Sequence, residues 1–127
     1  MPGTRQILGA RAERAAARYL RRHGYSILER NFRVRHGEID IVALDRGVIV
    51  FVEVKARLQS RFGEPLEAVD RRKQRQIARA AEDFVRRHRL HDRAIRFDVV
   101  GMRPRRWFGW DVELVRDAFD VPGSFWS

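Results

Sequence analysis

Asp40, Glu53 and Lys55 lie inside a pair of apolar segments, where charged side chains are unusual. The first segment, GEIDIVALD, contains Asp40, and the second, VIVFVEVKA, contains Glu53 and Lys55. A charge in a buried strand is costly unless it is paired or binds a metal ion. Carboxylates can hold a divalent cation that activates a water molecule, and a nearby ammonium group can position that water. These residue types therefore indicate metal-assisted chemistry on a phosphate.

A β-hairpin is the element that would bring these side chains together. A turn is predicted at Arg46-Gly47, and alternation along a strand places Glu53 and Lys55 on one face. With a two-residue loop at Arg46-Gly47, two residues face each other across the hairpin when their numbers add to 93. Asp40 would then face Glu53, and Glu38 would face Lys55. Directly opposed carboxylates repel, and a cation between them removes the conflict. Ordinary cross-strand ion pairs on a half-exposed face are the alternative.

The spacing resembles the metal motif of the PD-(D/E)xK nuclease superfamily. Glu53-Val54-Lys55 follows Asp40 after a gap of twelve residues, and Ile39 stands where that motif has a loosely kept proline. More closely, the segments GEIDIVA, FVEVKAR, FGEP and RFDVV, together with the amino-terminal helix, resemble the YraN family of small bacterial proteins. That family is similar to archaeal Holliday-junction resolvases. The resemblance extends from about Gly9 to Phe119.

The resemblance implies a restriction-endonuclease-like fold, an α/β three-layer sandwich with a central mixed β-sheet and helices on both faces. It implies that Asp40, Glu53 and the Val54 carbonyl bind Mg²⁺ or Mn²⁺, and that Glu13 on the first helix completes the site. Lys55 would orient the attacking water. Branched or otherwise structured DNA is the implied substrate. Resolvases of this kind act as homodimers, although no pattern in the chain identifies a dimer face.

Composition predicts one domain, residues 1–127, with a flexible tail from about residue 120. The absence of cysteine excludes a disulfide scaffold and thiolate metal sites. No apolar run approaches the roughly 20 residues that cross a bilayer. The amino terminus lacks the apolar region of a signal peptide. We therefore expect a cytoplasmic protein without a membrane partner.

The net charge of +10 and the pI near 11.4 favour a polyanionic partner, with DNA or another nucleic acid as the first choice. Ribosomal or membrane-surface binding would fit the same charge. Only Lys55 and Lys73 among 27 basic residues are lysines, and a compact, tunable ammonium suits chemistry at an acidic cluster. The basic residues that we predict to contact nucleic-acid phosphates follow the hairpin and coat the second helix: Arg57, Arg61, Arg71, Arg72, Lys73, Arg75 and Arg79.

Hydrophobic periodicity predicts the remaining elements. We expect a helix from Thr4 to His23, a strand near a sheet edge from Tyr25 to Val34, a second helix from its cap at Asp70 to about Leu90, and a last central strand from Ala94 to Met102. Arg96 and Asp98 in that strand are expected to form a structural pair. A loop from Leu58 to Pro65 would lie at the mouth of the site.

An aromatic segment near the carboxyl end has two interpretations. Trp107, Phe108 and Trp110 can stack on unpaired bases, or they can be buried against the sheet or in a dimer interface. We expect burial. Arginines accompany them at three positions: Arg103, Arg105 and Arg106.

Three functions follow from these observations. The first is a metal-dependent endonuclease that hydrolyses DNA phosphodiester bonds. The alternative is a non-enzymatic nucleic-acid-binding protein on a nuclease scaffold, because a fold alone does not establish activity. The third is an interaction protein that docks a partner through its tryptophan-rich end and uses its positive charge on ribosomal RNA.

Overall fold

The computed structural model describes residues 4–57 and 69–120, with side chains from Ile7 onward. Two helices, α1 (Thr4–Arg22) and α2 (Arg71–Arg87), accompany five strands. The strands are β1 (Ser26–Val34), β2 (Gly37–Asp45), β3 (Val48–Ala56), β4 (Ile95–Pro104) and β5 (Trp110–Val115). The predicted loop with Arg61 and the tail after residue 120 lie outside the described residues.

The five strands form one mixed sheet in the order β1-β2-β3-β4-β5. All neighbouring pairs are antiparallel except β3 and β4, which are parallel. The helix α2 crosses over between the two parallel strands, as parallel pairing requires. β1 lies at an edge of the sheet, as its charged sequence predicts.

The two helices cover opposite faces of the sheet. On one face, Ala12, Ala16 and Leu20 of α1 pack on Val50 and Val52 of β3. On the other face, α2 supplies Ile77, Ala80, Ala81 and Phe84, which pack with Phe51 and Phe97 of the sheet. This arrangement confirms the α/β three-layer sandwich. It also explains the continuous apolar run of β3, because a central strand is buried on both faces.

The hairpin of β2 and β3 has the predicted register. Ile41 pairs with Val52 and Asp45 pairs with Val48, and both pairs add to 93. Arg46 and Gly47 form the turn with positive φ angles of 51° and 84°, which a tight two-residue hairpin turn requires.

Asp70 begins α2 as predicted, and its carboxylate accepts a hydrogen bond of 2.8 Å from the Lys73 backbone N–H. An acceptor at this position satisfies one of the free N–H groups in the first turn. The cap therefore fixes where α2 starts and places Lys73 in its first turn.

A buried polar network joins the far ends of the strands. Asp98 is fully buried and accepts hydrogen bonds from Arg96 (2.8 Å) and from the Tyr25 hydroxyl (2.9 Å). Arg96 also donates to Asp45 at 2.9 Å. Burial, reinforced by Asp98, raises the pKa of Tyr25 to about 12. Every charge in the network has a partner, so Arg96 and Asp98 are structural, as expected.

Candidate active site

The hydrogen-bond ladder between β2 and β3 stops just before the predicted acidic pair. Its last pair is Ile41 with Val52. Beyond it, the Asp40 side chain accepts a hydrogen bond of 2.8 Å from the Val54 backbone N–H. The Asp40 carboxylate thus occupies the place of a β2 backbone carbonyl. It lies in the gap where the two strands separate.

A close approach between β2 and α2 occurs beside this gap. A Cβ atom added to Gly37 would overlap the backbone carbonyl oxygen of Gln76 in α2. Glycine is the residue that permits such an approach, because it has no side chain. The first residues of β2 therefore lie against α2, in the same half of the strand that has separated from β3.

The Asp40 and Glu53 carboxyl groups form a pair at this gap, in which Glu53 is buried and Asp40 is half-buried. Glu53 lies on the α2 face and is only 9% exposed. Burial raises its pKa to about 8, assisted by the charge of Asp40 and a hydrogen bond with it. At neutral pH and without a bound cation, Glu53 therefore keeps a proton that it shares with Asp40.

Lys73 supplies a positive charge to the pair. Its Nζ atom lies 3.5 Å from Oε2 of Glu53 and opposes the rise in the pKa of Glu53. The predicted role of Lys73 was contact with substrate phosphate. Its position beside Glu53 places it at the boundary between the carboxyl pair and the basic surface of α2.

The Glu13 carboxyl of α1 interacts electrostatically with Asp40, but its ion-pair partner is Arg30. Burial raises the pKa of Glu13, with Asp40 as the next cause, while Arg30 lowers it. Its Oε1 atom lies 4.0 Å from the Arg30 guanidinium, is buried, and has no hydrogen-bond partner among the described residues. Arg30 was absent from the predicted site, since a single arginine on an edge strand gives no signal of this role.

Lys55 lies two residues beyond Glu53 on the same face of β3 and is half-buried. Its ammonium group makes no hydrogen bond or ion pair with any residue in the described ranges. The predicted pairing of Lys55 with Glu38 is wrong, because Glu38 instead lies 3.5 Å from Arg33 on β1. The separation of β2 from β3 after Ile41 explains this difference.

The donors at the gap suit a hard divalent cation. The N–H and C=O groups of one residue in a strand point to the same neighbour, so the Val54 carbonyl faces the gap with the Asp40 carboxylate. Mg²⁺ and Mn²⁺ prefer such oxygen donors. Within residues 4–57 and 69–120, no three Asp, Glu or His side chains converge closely enough to hold one ion. The fit therefore rests on Asp40, Glu53 and the Val54 carbonyl, and the expected third ligand, Glu13, does not converge with both carboxyl groups on one ion.

A basic groove of about 630 Å³ adjoins the acidic pair, between α2 and the turn that joins β1 to β2. Four predicted phosphate-binding residues line it: Arg72, Lys73, Arg75 and Arg79. Arg35 and His36 of the β1–β2 turn line it too. The prediction of phosphate-binding residues did not include these two. Their position next to Gly37, at the start of the acidic hairpin, is the sequence feature that could have indicated this role.

Two other predicted phosphate-binding residues lie outside the groove lining. Arg71 is exposed at the start of α2. Arg57 follows β3, and its backbone N–H donates to the Met102 carbonyl at 2.9 Å. The seventh, Arg61, lies outside the described residues.

The aromatic segment differs from its expected burial. Trp107 and Phe108 are 83% and 86% exposed, so neither packs against the sheet. Trp110 is half-buried and packs on the α1 side of the core. The difference arises because the two exposed rings occupy the turn beyond β4, where no other helix or strand of residues 4–57 and 69–120 covers them.

The matching family model is described as uncharacterised protein family UPF0102, and it covers residues 12–102. The chain belongs to this family. A UPF0102 protein of Geobacter metallireducens is 53% identical over 119 residues, which cover 90% of this chain and 93% of the relative. A UPF0102 protein of Chlorobium chlorochromatii is 45% identical over 125 residues, covering 94% and 96% of the two chains.

Membership of UPF0102 confirms the resemblance to the YraN family. The acidic pair, Lys55 and the basic groove all lie inside the matched residues. The exposed aromatic turn lies beyond them. Neither helix of the described chain is long and apolar enough to span a bilayer.

Proposed function

We propose that this UPF0102 protein is a metal-dependent nuclease that hydrolyses phosphodiester bonds of DNA. One observation carries the proposal: the ladder gap holds the Asp40 carboxylate against β3, with Glu53 beside it and the Val54 carbonyl facing it. Two carboxyl groups at such close range are a poor structural device, because they either repel each other or must keep a proton. A carboxyl group with a strongly raised pKa, such as that of Glu53, is typical of functional sites.

Asp40, Glu53 and the Val54 carbonyl would hold Mg²⁺ or Mn²⁺, whereas Glu13 would have to move closer to become a further ligand. The bound cation would supply activation of water and stabilisation of charge on the scissile phosphate. Without the cation, the shared proton and the Lys73 ammonium group offset the charge of the pair. Loading the site would displace that proton.

The protein side chains would perform the remaining steps. The half-buried Lys55 lies on the same strand face as Glu53, where its ammonium group can hold and orient the attacking water. Arg72, Arg75 and Arg79 line the adjoining groove and would bind phosphates on either side of the cleaved bond. Such phosphate contacts position the nucleic acid and do not read its sequence.

Titration of Mg²⁺ or Mn²⁺ against branched, single-stranded and duplex DNA tests the proposal. Lys55→Ala should lower the cleavage rate about 10²- to 10⁴-fold, the usual contribution of a positioned proton-transfer or water-orienting group. Asp40→Asn should also lose Mn²⁺ binding, which titration calorimetry measures independently of cleavage. Glu113→Gln on β5 serves as the matched control and should retain both properties.

A non-enzymatic nucleic-acid-binding protein is the second candidate, because the basic groove is present regardless of the acidic pair. In that case the protein would bind DNA with a strong dependence on salt. No metal would support cleavage, and Asp40→Asn would bind DNA as the unaltered protein does. That combination of results would overturn the nuclease proposal.

A further inference from the structure

The turn between β4 and β5 exposes two large aromatic side chains. Trp107 is 83% and Phe108 86% exposed, whereas the other exposed large apolar residues of the described chain, Ile7 and Leu28, are 47% and 49% exposed. Adjacent exposed rings are unusual, because an aromatic ring normally contributes to stability by burial. Exposed apolar surface of this kind marks a site of interaction.

The turn holds these rings in a defined position. The Arg105 N–H donates to the Gly109 carbonyl at 3.0 Å, and Gly109 adopts a φ angle of 86°. Asp111 accepts hydrogen bonds from the guanidinium groups of Arg103 (3.1 Å) and Arg105 (2.9 Å). The rings are therefore presented by a closed and braced turn.

Positive charge surrounds the aromatic surface. The Arg106 guanidinium lies 5.6 Å from the centre of the Trp107 ring. A groove of about 440 Å³ separates α1 from the turn, and three arginines line it with Tyr19 and Trp110: Arg18, Arg22 and Arg105. Aromatic faces beside a cationic groove are the features by which proteins bind single-stranded nucleic acid, since bases stack on the rings while phosphates contact the cations.

The parallel register of β3 and β4 relates this surface to the acidic pair. Glu53 lies beside Val99 and Lys55 beside Gly101. The turn therefore projects from the same end of the sheet that holds the carboxyls. The turn begins at Arg105, six residues beyond Val99, so it starts roughly 20 Å farther along the strand direction than Glu53, at about 3.3 Å per residue, a distance that several unpaired nucleotides can span.

We propose that Trp107 and Phe108 stack on unpaired bases, and that the substrate carries a single-stranded segment beside the phosphodiester bond that is cleaved. The position of the single-stranded segment beside the cleaved bond rests on the proposed nuclease function, whereas the stacking of bases on the two rings does not. Aromatic and arginine side chains also suit an anionic membrane surface. The arginine-lined groove beside the turn favours a nucleic-acid strand, because it offers a path for phosphates.

Fluorescence anisotropy with a labelled thymidine oligonucleotide, in EDTA, measures the stacking directly. Trp107→Ala and Phe108→Ala should each weaken binding roughly tenfold, and the double variant more, as expected for one base stacked on each ring. Blunt duplex DNA should bind all variants equally. Leu28→Ala, which removes an exposed side chain elsewhere, is the matched control. Because all three side chains are exposed, the unfolding transitions should be unchanged.

An abasic strand of the same length separates stacking from charge, and the unaltered protein should bind it about as weakly as the double variant binds thymidine. Equal binding of thymidine by the double variant and the unaltered protein would overturn the inference. So would an equal loss on duplex DNA. Loss of binding to phosphatidylserine vesicles in the double variant, with thymidine binding unchanged, would assign the turn to a membrane surface instead.

Cleavage assays distinguish failure of this inference from failure of the proposed function. If no metal supports cleavage but the ring variants lose thymidine binding, the nuclease proposal fails and the stacking surface stands. If fully duplex DNA is cleaved as fast as DNA with a single-stranded segment, the substrate assignment fails and the nuclease proposal stands.

Discussion

Glu53→Gln should stabilise the metal-free protein at alkaline pH. The pKa of the Glu53 carboxyl is raised from 4.5 to about 8, chiefly by burial and then by Asp40. Glutamine has nearly the same shape, carries no charge, and keeps a donor for the hydrogen bond to Asp40. The substitution therefore removes the cost of ionising Glu53 without removing its packing.

The size and pH dependence of this effect follow from proton linkage. Below pH 4.5 Glu53 is protonated in both the folded and the unfolded state, so its ionisation does not change the free energy of unfolding. Between pH 4.5 and about 8 the unfolded chain is ionised while the folded protein keeps its proton, so the free energy of unfolding falls as the pH rises. Each tenfold difference in proton affinity is worth about 1.4 kcal/mol, so the full loss above that range is about 3–5 kcal/mol.

Urea unfolding followed by circular dichroism in EDTA, at about pH 5, pH 7 and pH 9, measures the difference. The variant and the unaltered protein should have similar stability at the lowest pH, and the variant should be more stable by a few kcal/mol at the highest. Glu113→Gln on β5 should show a difference that does not vary with pH. A constant difference for Glu53→Gln, or a less stable variant at about pH 9, would refute the assignment of a buried, protonated Glu53.

Two further substitutions test the packing that forms the site. Gly37→Ala should destabilise the fold by about 1–3 kcal/mol, because the new Cβ overlaps a backbone carbonyl of α2. In the control, Gly9→Ala in α1, the new Cβ meets no neighbour within 4 Å and should stabilise the fold by up to about 1 kcal/mol. Thermal unfolding measures both variants, and equal effects would contradict the proposed close approach of Gly37 to α2. Asp98→Ala should cost about 3–5 kcal/mol, because it removes the acceptor of a buried guanidinium. Exposed Asp92→Ala should change stability by less than about 0.5 kcal/mol, and similar values for the two would show that the network is not needed.

The local chemistry of the chain predicted most of the fold. Arg46-Gly47 determined the turn and hence the register from Ile41 to Asp45, because a two-residue loop leaves little freedom in pairing. The run Val48 to Val52 indicated a strand buried on both faces, and Asp70 indicated the start of α2. These features depend on neighbours within a few residues, so the sequence alone was sufficient.

Only the tertiary structure decided how the acidic pair is arranged. Alternation along the strands placed Asp40 and Glu53 near each other, but it also predicted Glu38 opposite Lys55, which the separation of β2 from β3 prevents. The Asp40 bond to Val54 and the approach of Lys73 to Glu53 depend on how β2, β3 and α2 meet. No local sequence pattern predicts these two contacts, because they result from packing between segments that are distant in the chain.

The exposed aromatic turn is a second feature that residue type alone did not predict correctly. Residue type predicted burial for Trp107 and Phe108, since large rings are stabilised by leaving water. Both rings instead lie in the turn between β4 and β5, where they are exposed to solvent. The sequence determined which groups could do chemistry or stack on a base, and the packing of α1 and α2 on the sheet determined which of them are buried, paired or accessible.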